Sequence, residues 1–411
     1  WGGNWGWPNK NFWFGRLNTE ESTGFKHYMW DFENTMGNNR SRSPLNMNSP
    51  RNTQWVGEPY AALRDLLWFQ VAWADRTHRL FHNEGILSPE KTRPFYQSVA
   101  DEVEMAIYAE TARWGDDNSS TPHTIEEWRG EREWMLDTYL TQRTGIVRQQ
   151  FEDRDLFPSK MPPAFNQHGG SVSSGFQLTM EPASKMFYTT DGSDPFTYNE
   201  NGAIEISDSA VAYADPITID QTMTVKARFY SKSIFGGITW SALNEATFSV
   251  GADKLRITEI MYHPTSPTDA ERAAGYTSAS VFEYIILANT GDQPADLAGI
   301  QFTNGISFDF DTLSEKTLAA GATAILVRSR AGFEARYGTN HPVIGEYGGK
   351  LDDSGERLTL TDAAGQELVS IRYNDKEPWP VEADGQGSSL KLSASQIDEN
   401  YSNSVNWTAV A

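Results

Sequence analysis

The 411-residue chain reads as a multidomain α+β protein, a mainly helical unit followed by two antiparallel β-sandwiches. Three observations predict this. From Pro59 to about Phe151 apolar residues recur at intervals of three and four, the period of an amphipathic helix. Beyond a Pro-rich connection at 158–164 (PSKMPPA) the period falls to two, in short runs bounded by Gly, Asp, Asn and Pro. A second connection, Gly251-Ala252-Asp253, divides the β half. The expected units are 1–160, 164–250 and 254–411, with proteolysis expected first near 158–164 and 250–254.

The first unit opens on WGGNWGWPNKNFWF, then GFKHYMWDFENTMG, two aromatic segments in which Asn11 and Asp31 are the conspicuous polar residues. Phosphoryl transfer needs a metal-holding Asn at the end of a catalytic loop and a metal-holding Asp after a following hairpin. In that signature an Asp base stands five residues before the Asn. Here the position is Gly6, which can neither accept a proton nor orient a hydroxyl. Glu33 lies two residues beyond Asp31, on the other face of a strand, and is a poor substitute.

These two runs resemble the long, secreted form of the CotH-type (spore-coat-like) atypical kinases. The resemblance implies a partial kinase C-lobe over Trp1 to about Pro158, metal ligands Asn11 and Asp31, and Mg²⁺ and ATP as cofactors if the parent protein is active. ETARWGD (Glu110 to Asp116) and QRTGIVRQQF (Gln142 to Phe151) look like further landmarks of that family. A start at Trp1, with no Met, leads us to expect a piece of a longer polypeptide whose nucleotide-binding lobe lies before it.

Residues 38–54 (NNRSRSPLNMNSPRNTQ) are a surface loop by composition, in the place of an activation segment. Tyr60, Leu63, Leu67, Val71 and Ala74 then mark a helix from Pro59 to Phe81, stopped by Asn83 and Gly85. Ser88-Pro89-Glu90 reads as a helix start, and that helix runs to about Trp114. A third follows Thr124 and runs to about Phe151, with Trp128, Trp134, Met135, Tyr139 and Ile146 on its stripe. His78 and His82 have metal-ligand spacing, but no third ligand is evident, and a helix-face pair without function is the better reading. Glu110 and Arg113 read as a structural ion pair.

In the β half, FQLTM, MFYTT, ITI, MTVKARFY and ATFSV are the strands of the first sandwich. MFYTTDGSDP resembles the Ig-like domain at the C-terminus of chitobiases and hexosaminidases. Asp191 and Asp194, in its turn, could hold Ca²⁺, but the distal bidentate Glu is missing, and capping of the turn by both carboxylates is preferred. ITEIMYHP followed by FEYIILANTGDQPADLAGIQF resembles the lamin-tail domain of secreted bacterial proteins, an Ig-like sandwich. Glu259, Glu283, Asn289 and Asp296 match its recurring polar positions, and residues 376–411 its closing segment.

Composition narrows the function. No Cys is present, so disulfides, thiolate metal sites and Cys nucleophiles are excluded. A net charge of −21 argues against nucleic acid or an anionic membrane as partner. No apolar run approaches the ~18 residues of a membrane span. The expected protein is a bacterial extracellular or cell-surface modular protein, its kinase-like lobe inactive, its partners other surface proteins or polysaccharide. A truncated active kinase and a carbohydrate-binding chain are the alternatives.

Overall fold

The computed structural model describes residues 1, 12–19, 22, 24–29, 35–36, 58–117, 120–393 and 402–411. Near the start, Phe12–Gly15 and Lys26–Met29 pair antiparallel, Trp13 opposite Tyr28. The helix expected from Pro59 to Phe81 is two, α1 (Glu58–Leu63) and α2 (Leu67–Phe81). Leu66 between them is extended, and its carbonyl receives the N–H groups of Phe69 and Gln70, so a new ladder starts there. The stop at the far end is as expected: Asn83 and Glu84 take left-handed backbone, φ 52° and 59°, a conformation that Asn tolerates better than most residues.

Helix α3 (Pro89–Trp114) begins at the Ser88-Pro89 signature, although the Ser88 hydroxyl makes no capping bond. Helix α4 (Ile125–Trp134) is held by a capping box in which Thr124 and Glu127 satisfy each other's N–H groups. One π turn, Met135–Tyr139, leads into α5 (Leu140–Glu152), so the third expected helix is continuous but changes pitch. That turn buries Met135 and Tyr139. Trp1 packs edge-on against Tyr139, and the buried Arg143 donates through Nε to the Trp1 carbonyl at 2.7 Å.

In the first β-module a six-stranded sheet contains Val211–Ala212, Met186–Thr189, Met223–Lys232, Asn244–Val250 and Gly170–Val172 in that order, with Ile238–Trp240 paired to the far end of the long strand. All pairs are antiparallel except Asn244–Val250 with Gly170–Val172. Ile217–Ile219 and Phe176–Leu178 close the other side of a core of Leu178, Ile219, Val225, Ala227 and Phe248. In the second module a six-stranded sheet runs Val343–Glu346, Thr323–Val327, Tyr284–Asn289, Leu255–Met261, Ser389–Leu392, Trp407–Val410. A four-stranded sheet, Phe308–Asp309, Gln301–Asn304, Arg357–Thr361, Glu367–Arg372, faces it. Helix α7 (Arg330–Tyr337), absent from the strand pattern read in the sequence, follows α6 (Asp269–Ala273) and covers the first sheet through Phe333.

The connections between units are packed. Pro162 and Pro163 are buried, and the Pro163 carbonyl accepts from Asn244 Nδ2 at 2.8 Å. Gly251 turns the chain with φ 70°, where an added Cβ would lie 2.8 Å from the Pro294 carbonyl oxygen. Only glycine fits such an approach.

Candidate functional site

The DGSDP turn, the long strand Met223–Lys232 and helix α2 meet around one side chain. Arg228 is fully buried. It lies on the face of its strand opposite Val225, Ala227 and Phe229, where a helix can cover it. Its guanidinium makes bidentate bonds to Asp194 (2.7 and 2.6 Å) and to Asp75 of α2 (both 2.7 Å). Asp75 also accepts the Leu243 N–H at 2.8 Å, and the Arg228 carbon sits 4.6 Å over the Phe196 ring. Burial opposes the charge, but the bonds to Asp194 and Asp75 outweigh it and hold the Arg228 pKa above its usual value. The helical unit is thereby fastened to the first sandwich by a desolvated cation between two carboxylates. Their geometry is the fork-to-fork arrangement that gives charge-assisted pairs their strength.

Beside this joint, one helical turn further along α2, a cleft of about 590 Å³ opens between α2, the strand Asn244–Val250 and the hairpin tip at Ala364 and Gln366 of the second module. Asn244 organises its floor: Oδ1 meets His168 Nε2 at 2.9 Å and Asn83 Nδ2 at 3.0 Å. His78 and His82 stack at 5.0 Å. Burial, with His82 and His168 nearby, pushes the His78 pKa down to about 3, so the ring stays neutral. Arg76 and Arg79 line the same cleft from the exposed side of α2.

The residues singled out in the sequence fall in different places. Gly6, Asn11, Asp31 and Glu33 lie outside the described residues, as does the loop 38–54. Asp191 accepts from the backbone N–H (2.9 Å) and hydroxyl (2.5 Å) of Ser193. Asp194 accepts from the Phe196 N–H at 2.8 Å and carries the ion pair to Arg228. Among the described residues no group of three His, Asp or Glu side chains is arranged to hold a metal. Glu110 and Arg113 do not form the expected ion pair: both sit at the exposed end of α3, and the Arg113 guanidinium lies 4.8 Å over the Trp114 ring instead.

The four polar positions of the second module are structural. Glu259 accepts from the Tyr284 hydroxyl (2.6 Å) and the Ser389 hydroxyl (2.8 Å). Asn289 donates to the Gln293 and Leu318 carbonyls and accepts the Gly291 N–H. Asp296 accepts the Ala298 N–H and, across the module boundary, the Thr222 N–H at 2.9 Å. Glu283 accepts from the Leu351 N–H (2.9 Å) and the Tyr347 hydroxyl (3.1 Å), and its burial pushes the carboxyl up to about 7 against those bonds.

Residues 250–375 match the family model described as Lamin Tail Domain. The match covers the motifs read as lamin-tail in the sequence and most of the two sheets of the second module, here called the lamin-tail module. Residues 176–238, the strands and turns around Arg228, match the model described as Fn3 associated. The chitobiase and kinase resemblances rest on sequence motifs alone. No curated protein matches. Among solved structures, the crystal structure of a DUF4876 family protein from Bacteroides thetaiotaomicron aligns over 58% of this chain and 90% of that one, at 10% identity. Its TM-score of 0.26 is too low to carry an argument. Arg228 and Asp75 were not singled out in the sequence. The available signal was an Arg in the middle of the long alternating strand MTVKARFY, which has to find a partner if the strand is covered on both faces.

Proposed function

We propose that the chain is a non-catalytic part of an extracellular modular protein, serving in surface assembly or adhesion as a stiff arm that presents its outer faces to other surface proteins or polysaccharide. The observation that supports this most is the joint at Arg228. A buried cation shared by Asp75 and Asp194 ties helix and sandwich into one body, and the Asp296–Thr222 bond continues the tie into the lamin-tail module. Arms of this kind hold a binding surface at a fixed distance and need no chemistry of their own.

The second reading, a CotH-type kinase using Mg²⁺ and ATP, is favoured by the motif around Asn11 and Asp31 and opposed by Gly6. Two assays separate the readings. Full chain on beads should be retained by cell-wall preparations, and radiolabelled ATP with Mg²⁺ or Mn²⁺ should give no transfer to a generic protein acceptor. Robust transfer that Asp31→Ala abolishes would overturn the non-catalytic reading.

A further inference from the structure

The cleft between α2 and the two β-modules has charge that its neighbours do not use, beside polar groups of which Asn83 Nδ2 and His168 Nε2 are held by Asn244. Its acidic lining is already engaged, Asp75 by Arg228 at 2.7 Å and Glu245 by Lys226 at 3.8 Å. Arg76 and Arg79, three apart on α2 and thus on one face, have no ion-pair partner among the described residues. In a chain of net charge −21, this leaves two cations converging on one concavity. Around them stand neutral donors and acceptors: the amides of Asn83 and Gln366 and the imidazoles of His82 and His168. The volume, about 590 Å³, falls within the roughly 300–1,000 Å³ of small-molecule sites, which favour boundaries between domains.

We infer that this cleft binds an acidic saccharide. Carboxylates would be met by Arg76 and Arg79, and ring hydroxyls by the Gln366 amide and by the amide oxygen of Asn83, which its bond to Asn244 leaves open. Guanidinium is the side chain best suited to a carboxylate, through two parallel N–H bonds. Amides supply the mixed donors and acceptors that vicinal hydroxyls need. An Arg pair can also read an acidic peptide, so a hexapeptide is one arm of the test, but an extended peptide would find little open sheet edge here to pair with. The strand bordering this cleft, Asn244–Val250, is paired with Met223–Lys232 along one edge. On the other edge Phe248–Val250 pairs with Gly170–Val172, and Gly169 already crowds the Thr247 carbonyl. The inference rests on the extracellular reading only for the choice of a saccharide, and a failure to bind leaves the phosphotransfer and retention assays above unaffected.

The test is calorimetric titration of the full chain with trigalacturonic acid, beside neutral maltotriose, citrate and an acidic hexapeptide. The expected result is binding of the acidic trisaccharide, weaker or no binding of the other three, and a loss of about tenfold or more in the Arg76→Ala/Arg79→Ala variant. Both side chains are exposed, so circular dichroism and the melting temperature should be unchanged in that variant. Gln366→Ala, on the opposite wall, should weaken binding severalfold. No binding of the trisaccharide at millimolar concentration would overturn the inference. So would unchanged affinity in the double variant, or citrate, hexapeptide or maltotriose binding as tightly as the acidic sugar.

Discussion

Helix α3 is 26 residues long and buries only Ala100, whereas the seven-residue strand Leu255–Met261 of the lamin-tail module buries five. The contrast extends to the whole of each region. The lamin-tail module encloses one continuous core from Leu255 to Trp407, including Tyr262, Phe302, Phe310, Leu358 and Trp379. The helical unit has only small clusters, and two of them are completed by the first sandwich: Val71 packs with Phe196 and Ile204, and Ala74 with Phe157 and Ala242. Meanwhile α3 leaves Phe95 and Met105 73% and 77% exposed. A sheet face closes its core against a second sheet of the same module. A short run of helices needs a neighbour, and here the neighbour is held by these shared apolar clusters and by the Arg228 ion pairs. The region with the smaller core therefore depends on its contacts with the first sandwich, while the other closes its core within itself.

The most severe way to break this contrast is to remove Arg228. Arg228→Met leaves Asp75 and Asp194 facing each other without their cation. Losing one side of a buried ion pair costs roughly 3–5 kcal/mol. The Asp75 and Asp194 side chains keep 24% and 41% of their exposure and can recover some hydration, so about 4 kcal/mol is expected rather than the upper limit. Hydrogen exchange should show α2 and the strand Met223–Lys232 losing protection together, with Leu255–Met261 and Tyr284–Asn289 unchanged. Equal loss in all three units would mean that the lamin-tail module shares the same cooperative unit.

The next test changes the opposite region. Glu283 has its pKa raised from 4.5 to about 7 in the folded chain. The folded state therefore holds this proton more tightly than the unfolded state. The associated stability is fully present below pH 4.5 and is lost as pH rises through 7, about 3 kcal/mol in all. Glu283→Gln keeps an acceptor for the Leu351 N–H and the Tyr347 hydroxyl without the buried charge. It should stabilise the lamin-tail module at pH 8 by about that amount and be close to neutral at pH 4. Identical profiles for the wild type and the Glu283→Gln variant in denaturant melts across this range would show that the carboxyl is not perturbed.

His78 gives the helical joint the reverse sign. Its folded pKa, about 3, lies below the ordinary 6.5, so only the unfolded chain takes up the proton as pH falls. Stability is constant above pH 6.5 and declines below it, by about 2 kcal/mol at pH 5. His78→Asn should remove the His78 part of this decline in denaturant melts, leaving the part due to His82 and His168, whose burial also lowers their pKa values. The two regions would then be separable by pH alone, the helical joint opening first in mild acid and the lamin-tail module weakening toward alkaline pH.

Much of this was legible in the chain itself, and the pattern of success follows the range of the interactions. The start of α3 at Ser88-Pro89, the stop at Asn83 and the strands FQLTM, MTVKARFY and RLTLTDA are set by local period and turn chemistry. The break at Leu66 was not visible, because the apolar spacing runs through it without interruption. Helix α7 was missed because RAGFEARY is too short for a periodic signal, and its helix is favoured by the sheet it covers. The joint was missed for a different reason. Asp75, Asp194 and Arg228 are separated by 119 and 34 residues of sequence, and nothing local distinguishes Asp75 from any other acidic residue on an exposed helix. The reading of Asp194 as a turn residue was made from its neighbours, and its pairing with Arg228 depends on the tertiary fold.

The smallest effect tests whether the boundary between the two sandwiches is part of the arm or merely a contact. Composition marks 250–254 as a connection, yet Ala252 is buried, the Asp253 N–H donates to the Ser171 hydroxyl at 2.9 Å, and Asp296 Oδ2 receives the Thr222 N–H. Asp296 Oδ1 separately receives the Ala298 N–H within its own turn. Asp296→Asn retains a carbonyl oxygen for one of these two donors but not both. Asp296→Ala removes both acceptors. The Thr222 N–H, at a partly open boundary, can turn to water, so the loss is that of one charge-assisted hydrogen bond between modules plus one turn cap, about 1–2 kcal/mol. The part that belongs to the boundary should appear as faster cutting of the chain at 250–254 by a protease at native pH, with the part that belongs to the turn seen as a lower melting temperature of the lamin-tail module. Asn at this position should show one effect without the other. If neither variant changes the rate of cutting while the melting temperature falls, the Thr222 bond contributes nothing to stiffness, and the arm bends at Gly251.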